Sequence, residues 1–372
     1  MIFESYGIPA GTRGTSPATS QAVTAFEEFI TAYPNAPLVP RALKRATAIN
    51  KSLARFEKVV ANGEMFLELC NKATSQAAKE ACTPDARARV AYDVTLPYKE
   101  KGDWKAVIKA SDKFLKRSES IPVHLRLAAM VNTGAAQNKL GTGDKGRKLF
   151  DDVVKEGKAL SDAGRINELD PVGREALAEA LFLTGEIEFA KMQAIKTKTK
   201  DLKSAIDLAA AKATAAGVAE GFYGETEGLK SAHWTAAAAT RRGRMQQDIA
   251  VTLKSLPPPP AFRAEEMKAE WDAQVAEKAK PYEEKAINLY KQALDKAAAL
   301  RAMKRNDEAE SLLDDPDKGP RAKKRIDAIV IAATQMLMSM KSAPPQKSPP
   351  WLTVVAGVAM IVLLFVMVLI GG

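Results

Sequence analysis

The stretch Gly102-Asp103-Trp104-Lys105-Ala106-Val107-Ile108, continuing to Phe114-Leu115, decides how the rest of the chain is read. A glycine, an acidic residue and an aromatic lead into an apolar pair, and apolar residues then recur at helical spacing. Tyr98 lies just upstream. Similar small-and-large patterns recur elsewhere. Gly134, Gly146 and Phe150 form one set; Ala22, Phe26, Phe29 and Pro34 form a second; Ala286, Ile287, Tyr290, Ala293 and Leu294 form a third. Leu181, Gly185 and Phe189 suggest a further first helix with Ala205-Ile206 on its second, and Trp234 and Ala238 followed by Ala250 suggest another. Each such helical pair exposes an apolar stripe it cannot bury alone. Small residues let paired helices approach, and a large one fills the gap.

These residues resemble the tetratricopeptide (TPR) repeat, whose second helix opens with Gly-Asp-aromatic and which sets a small residue against a large one between helices. The resemblance covers roughly residues 20 to 300 and implies an all-α fold, a TPR-like α-solenoid of helical hairpins with a concave protein-binding groove. The steps from Ala88 to Leu127 to Ala178 are about 39 and about 51 residues, against 34 in the family, which implies lengthened helices or loops. The Leu256 to Pro260 break, Glu265-Glu266, Ala279-Lys280-Pro281 and the Ala286 to Tyr290 stretch are similar to the long TPR-rich proteins of myxobacteria and their relatives. That narrower resemblance implies a place in a bacterial envelope or motility assembly.

Composition agrees with helix. Of 372 residues 46% are hydrophobic and only 6% aromatic, with Ala, Lys, Glu and Leu prominent. The formal charge is +10, and the apolar tail carries none of it. From Trp351 to Ile370 no charged residue occurs, and a helix of that length spans about 30 Å, the hydrocarbon thickness of a bilayer. A single transmembrane anchor is therefore expected, with Trp351 and Ile370 at its ends. Lys341 and Lys347 precede the span, only Gly371 and Gly372 follow, and the opening Met1-Ile2-Phe3-Glu4-Ser5 lacks a secretory pattern. These features predict a cytoplasmic body, or a periplasmic one if a leader preceded the chain.

The expected organisation is a disordered residues 1–18, TPR-like repeats over 19–256, a proline break at 257–262, further hairpins over 263–341, a Pro-rich spacer at 342–350 and the anchor at 351–370. Gly134, Gly146, Phe150, Ala286 and Tyr290 are the expected repeat-packing residues.

Sites for chemistry are few. Cys70 and Cys82 form no CxxC pair and have no histidine cluster nearby, so neither a structural disulfide nor a zinc site is expected. His124 and His233 are the only histidines and are isolated from each other. Gly141-Thr142-Gly143-Asp144-Lys145-Gly146 matches GxGxxG, but no strand precedes it, and a turn between helices accounts for the glycines. Arg241-Arg242-Gly243-Arg244 and Arg321-Ala322-Lys323-Lys324-Arg325 are the densest basic clusters. Neither is interleaved with aromatics as nucleic-acid binding requires, and Arg321, Lys323, Lys324 and Arg325 are candidate contacts for anionic lipid. The sequence therefore predicts no enzyme, cofactor or metal. It predicts a membrane-anchored scaffold for protein partners, with a peptide-binding targeting receptor or co-chaperone as the alternative and an enzyme as a remote one.

Overall fold

The computed structural model describes residues 17–117, 120–195, 202–229, 231–258 and 265–306. The anchor residues Trp351 to Ile370, the basic cluster Arg321 to Arg325, the spacer and nearly all of the expected disordered N-terminus lie outside the described residues. No described helix is long and apolar enough to cross a membrane.

All regular structure among the described residues is helical. The α-helices run in the order α1 (Pro17–Ala32), α2 (Val39–Ser52), α3 (Phe56–Asn71), α4 (Gln76–Ala81), α5 (Pro84–Asp93), α6 (Leu96–Lys101) and α7 (Trp104–Leu115). They continue with α8 (Val123–Lys139), α9 (Gly143–Asp162), α10 (Pro171–Ala194), α11 (Leu202–Gly228), α12 (Ala232–Lys254) and α13 (Glu265–Asn306), with one 3₁₀ turn at Ile166–Glu168. Two compact units divide within α10, after Leu177.

In the first unit α1 packs on α2, α2 on α3, α7 on α8 and α8 on α9, while α4 packs against α2, and α5 against α3 and α2. Val23, Phe26 and Ile30 of α1, Leu43 and Ala46 of α2 and Phe66 of α3 form one buried cluster. α3 approaches α5 closely at Gly63, where a β-carbon would lie 2.4 Å from Val94 Cγ2. Local chemistry sets the turns. Gly102 caps α6 at φ 70°, where side chains are strained, and Asp103 then caps α7 by accepting from the Ala106 N–H. Gly141, at φ 78°, makes the tight turn between α8 and α9. The GxGxxG match is thus a helix-hairpin turn.

Cys70 and Cys82 are joined by a disulfide, with Cα atoms 5.3 Å apart. This corrects the sequence expectation. The four residues after α3 turn the chain back, and the six-residue α4 returns Cys82 alongside the end of α3. The lack of a CxxC motif carried no information about that turn. Cys70 belongs to the α1–α3 core, and Cys82 packs against it.

In the second unit Phe182, Phe189, Tyr223, Trp234, Met245 and Ile249 share one core. The ring of Phe182 lies 5.5 Å from that of Tyr223 and 5.0 Å from that of Trp234. After α12 the prolines at 257 and 258 end the helix, and Trp271 of α13 donates its indole N–H to the Leu256 carbonyl at 3.2 Å. α13 is a single helix of 42 residues with Pro281 inside it, and the remainder of the expected hairpin region, 307–341, lies outside the described residues. On α11, Gly217, Gly221, Gly224 and Gly228 are exposed, with nothing near where a β-carbon would stand.

Candidate functional site

Three hairpins share one contact. In α8/α9 a β-carbon on Gly134 would lie 2.6 Å from Phe150 Cε1, and one on Gly146 would lie 2.6 Å from the Gly134 carbonyl. In α10/α11 a β-carbon on Gly185 would lie 2.7 Å from Tyr223 Cε1. In α12/α13 a β-carbon on Gly243 would lie 2.6 Å from Tyr290 Cε1. Every case sets a glycine of the first helix against an aromatic ring of the second. Four residues before each ring stands a buried small residue: Gly146, Ala219 or Ala286. The structure thus brings Gly134, Gly146 and Phe150 together, and places Ala286 and Tyr290 on the buried face of α13. Gly185 and Gly243, the partners of the two tyrosines, were not singled out as a matching pair by sequence. Their signal was a small residue four before a buried aromatic.

The second unit adds a polar seam around these rings. Glu186, next to Gly185, accepts from Tyr223 Oη at 2.5 Å and from Arg241 Nε at 2.7 Å, linking α10, α11 and α12. Burial, and then the Glu186 charge, push the Tyr223 phenol well above its ordinary value, so it stays a donor. Burial, the largest single influence, opposes the charge on Arg241, but Glu186 together with the Tyr223 and Tyr290 hydroxyls outweighs it and keeps the guanidinium above the usual arginine value. Arg242 donates to Glu220 at 2.7 Å and to Glu227 at 2.9 Å, both on α11. Lys285 and Lys296 of α13 reach the same two carboxylates at 3.8 and 2.9 Å. Arg244 Nε lies 3.1 Å from Asp248, and Tyr290 donates to Gln247 at 2.9 Å. Asp248 is raised above the usual carboxylate value because burial outweighs the attraction of Arg244.

The Arg241-Arg242-Gly243-Arg244 run is therefore not an exposed basic cluster. Its three guanidiniums face carboxylates from three helices, and the glycine between them seats the Tyr290 ring. No charge in it is free for phosphate.

The first unit carries a shorter chain of charges. Lys51 meets Asp93 at 2.9 Å, Arg89 lies between Asp93 (3.6 Å) and Asp170 (3.8 Å), and His124 Nε2 lies 3.4 Å from Asp170. Asp170 also accepts from the Gly173 N–H and so caps α10. His124 thus stands beside a capping carboxylate. Among the described residues no group of three or more His, Cys, Asp or Glu is placed to hold a metal.

What the arrangement does is mechanical and electrostatic. Rings in glycine notches fix the spacing within each hairpin, and the ion pairs fix its register. No family model matches the chain, and no curated protein matches it.

Proposed function

We propose that the chain is a membrane-anchored scaffold of TPR-like helical hairpins that gathers protein partners at a bilayer. The observation that carries this reading is the threefold recurrence of a glycine on one helix seating an aromatic ring of the next, at Gly134/Phe150, Gly185/Tyr223 and Gly243/Tyr290. A contact repeated in consecutive hairpins is what a stack of similar units needs, and a stack presents extended surface for partners. The buried pairs around Arg241 and Arg242 support a rigid platform. The apolar segment 351–370 supplies the tether.

The Cys70–Cys82 disulfide bears on the side of the membrane. Disulfides persist in oxidising compartments, so it favours an exported, periplasmic body over the cytoplasmic one that Lys341 and Lys347 favour. We take the oxidising side as the better reading. In intact cells an impermeant thiol reagent should label Cys70 and Cys82 only after an impermeant reductant. Labelling that requires lysis would place the body in the cytoplasm.

Crosslinking and purification from detergent-solubilised membranes tests the scaffold role. A folded partner retained in fixed stoichiometry through a salt wash is expected. Recovery of short, rapidly exchanging peptides alone would replace the scaffold with a receptor, and no retained protein would end both readings.

A further inference from the structure

The outer face of α7 carries a row of four lysines with a single carboxylate, Asp112, among them. Val107, Ser111 and Phe114 turn inward and are buried, while Lys105, Lys109 and Lys113, with Lys116 at the C-terminal cap, are exposed. Their spacing of four, four and three residues places them along one side of the helix, roughly 16 Å from end to end. None lies within ion-pair distance of a carboxylate among the described residues. Asp112 is the one acidic side chain exposed on the same face. Like charges four residues apart on a helix repel, whereas basic residues on other helices have a carboxylate one turn away: Lys72 meets Glu68 at 2.7 Å, Arg147 meets Asp151 at 2.9 Å and Lys191 meets Glu188 at 3.0 Å. The row on α7 is left positive.

We propose that this face of α7 rests on the surface of an anionic bilayer, an inference that builds on the membrane-tether reading above. A straight row along one convex rod suits a plane better than a cleft. Lysines are compact point charges, suited to a diffuse layer of headgroups, whereas forked recognition of a particular carboxylate or phosphate would call for arginine. No aromatic is interleaved in the row for base stacking, since the half-buried Trp104 ring sits beneath the Lys139 ammonium at 5.8 Å. A tether brings the body to a headgroup layer, and each basic residue near such a surface raises residence about fivefold. Ionic strength should then govern the contact, because screening shortens its reach to about 3 Å in molar salt.

The test uses the full chain reconstituted into vesicles of phosphatidylcholine alone, or of phosphatidylcholine with phosphatidylglycerol. An impermeant amine-acylating reagent is applied and each lysine is followed by mass spectrometry. Lys105, Lys109, Lys113 and Lys116 should acylate several-fold more slowly on the anionic vesicles, relative to the chain's other exposed lysines, and molar salt should restore the rate. A K105Q/K109Q variant, which keeps good helix formers, should lose the protection remaining at Lys113 and Lys116. Equal rates on both vesicles overturn the proposal, as does protection that appears only with added protein or nucleic acid. An alkaline wash of the same vesicles tests the tether separately: a chain that washes off refutes the anchor, while a chain that stays and shows no protection refutes only the α7 contact.

Discussion

Gly185→Ala and Gly221→Ala make the same chemical change on neighbouring helices of one hairpin and should have opposite outcomes. Alanine is favoured over glycine by about 1 kcal/mol in a helix interior. At Gly221 nothing stands within 4 Å of the new methyl group, so the gain should appear in full. At Gly185 the methyl would lie 2.7 Å from Tyr223 Cε1, 3.0 Å from Cδ1 and 3.1 Å from Cζ. The ring has little room to retreat, because Tyr223 Oη is held by Glu186 at 2.5 Å and Phe182 packs beside it. Overpacking of this kind costs about 1–3 kcal/mol, which cancels or exceeds the propensity gain. The two variants should therefore differ by about 1–3 kcal/mol, or several degrees in Tm. Urea titration of the detergent-solubilised chain, followed by circular dichroism, measures the difference. If Gly185→Ala stabilised as much as Gly221→Ala, the ring would not be seated in the glycine notch, and the argument from recurrence would fail at its second hairpin.

Replacing Cys70 and Cys82 with serine should lower stability by about 3 kcal/mol from the lost loop constraint, and reductant should then leave the melting curve of the variant unchanged. Arg241→Met leaves the Glu186 carboxylate partly buried with the Tyr223 hydroxyl alone, at a cost of about 3–5 kcal/mol, whereas Arg241→Met with Glu186→Gln should cost less than the sum of the singles in a double-mutant cycle. Asp248 has a folded-state pKa raised above its unfolded value. Its protonated form is therefore favoured by folding, and that contribution is complete below the ordinary value of 3.8 and lost as pH rises through the higher folded value. Asp248→Asn should accordingly gain on the parent chain as pH is raised from about 3.5 to 7. Urea midpoints at the two pH values check this, and a constant gap would contradict the raised pKa.

Much of the helical layout was legible because helix start and stop signals are local. Gly102-Asp103-Trp104 marks the α6–α7 turn, and Gly134, Gly146 and Phe150 mark a hairpin whose contacts lie close in sequence. Legibility failed where partners are far apart. α11 has 27 residues and α13 has 42, so the distance from glycine to ring grows from hairpin to hairpin, and a fixed repeat count cannot pair Gly185 with Tyr223 or Gly243 with Tyr290. The arginine run read only as a dense basic cluster for a related reason: the carboxylates that meet Arg241 and Arg242 come from other helices, and only Asp248, the partner of Arg244, lies nearby in sequence. The disulfide was missed because a spacing between cysteines does not reveal that the intervening chain folds back.

Pro281 has no N–H with which to close the helical bond to the Glu277 carbonyl, so α13 loses a strut sixteen residues into a rod of about 63 Å. Bending should concentrate at that joint. Beyond it Ala286 and Tyr290 are keyed into the second unit, while the stretch before it is mostly exposed and held by Val275, Ala279 and the Trp271 bond. A load applied to the start of α13 would then be absorbed as a swing of the first arm rather than passed to the Tyr290 notch, making the proline a mechanical fuse between the two.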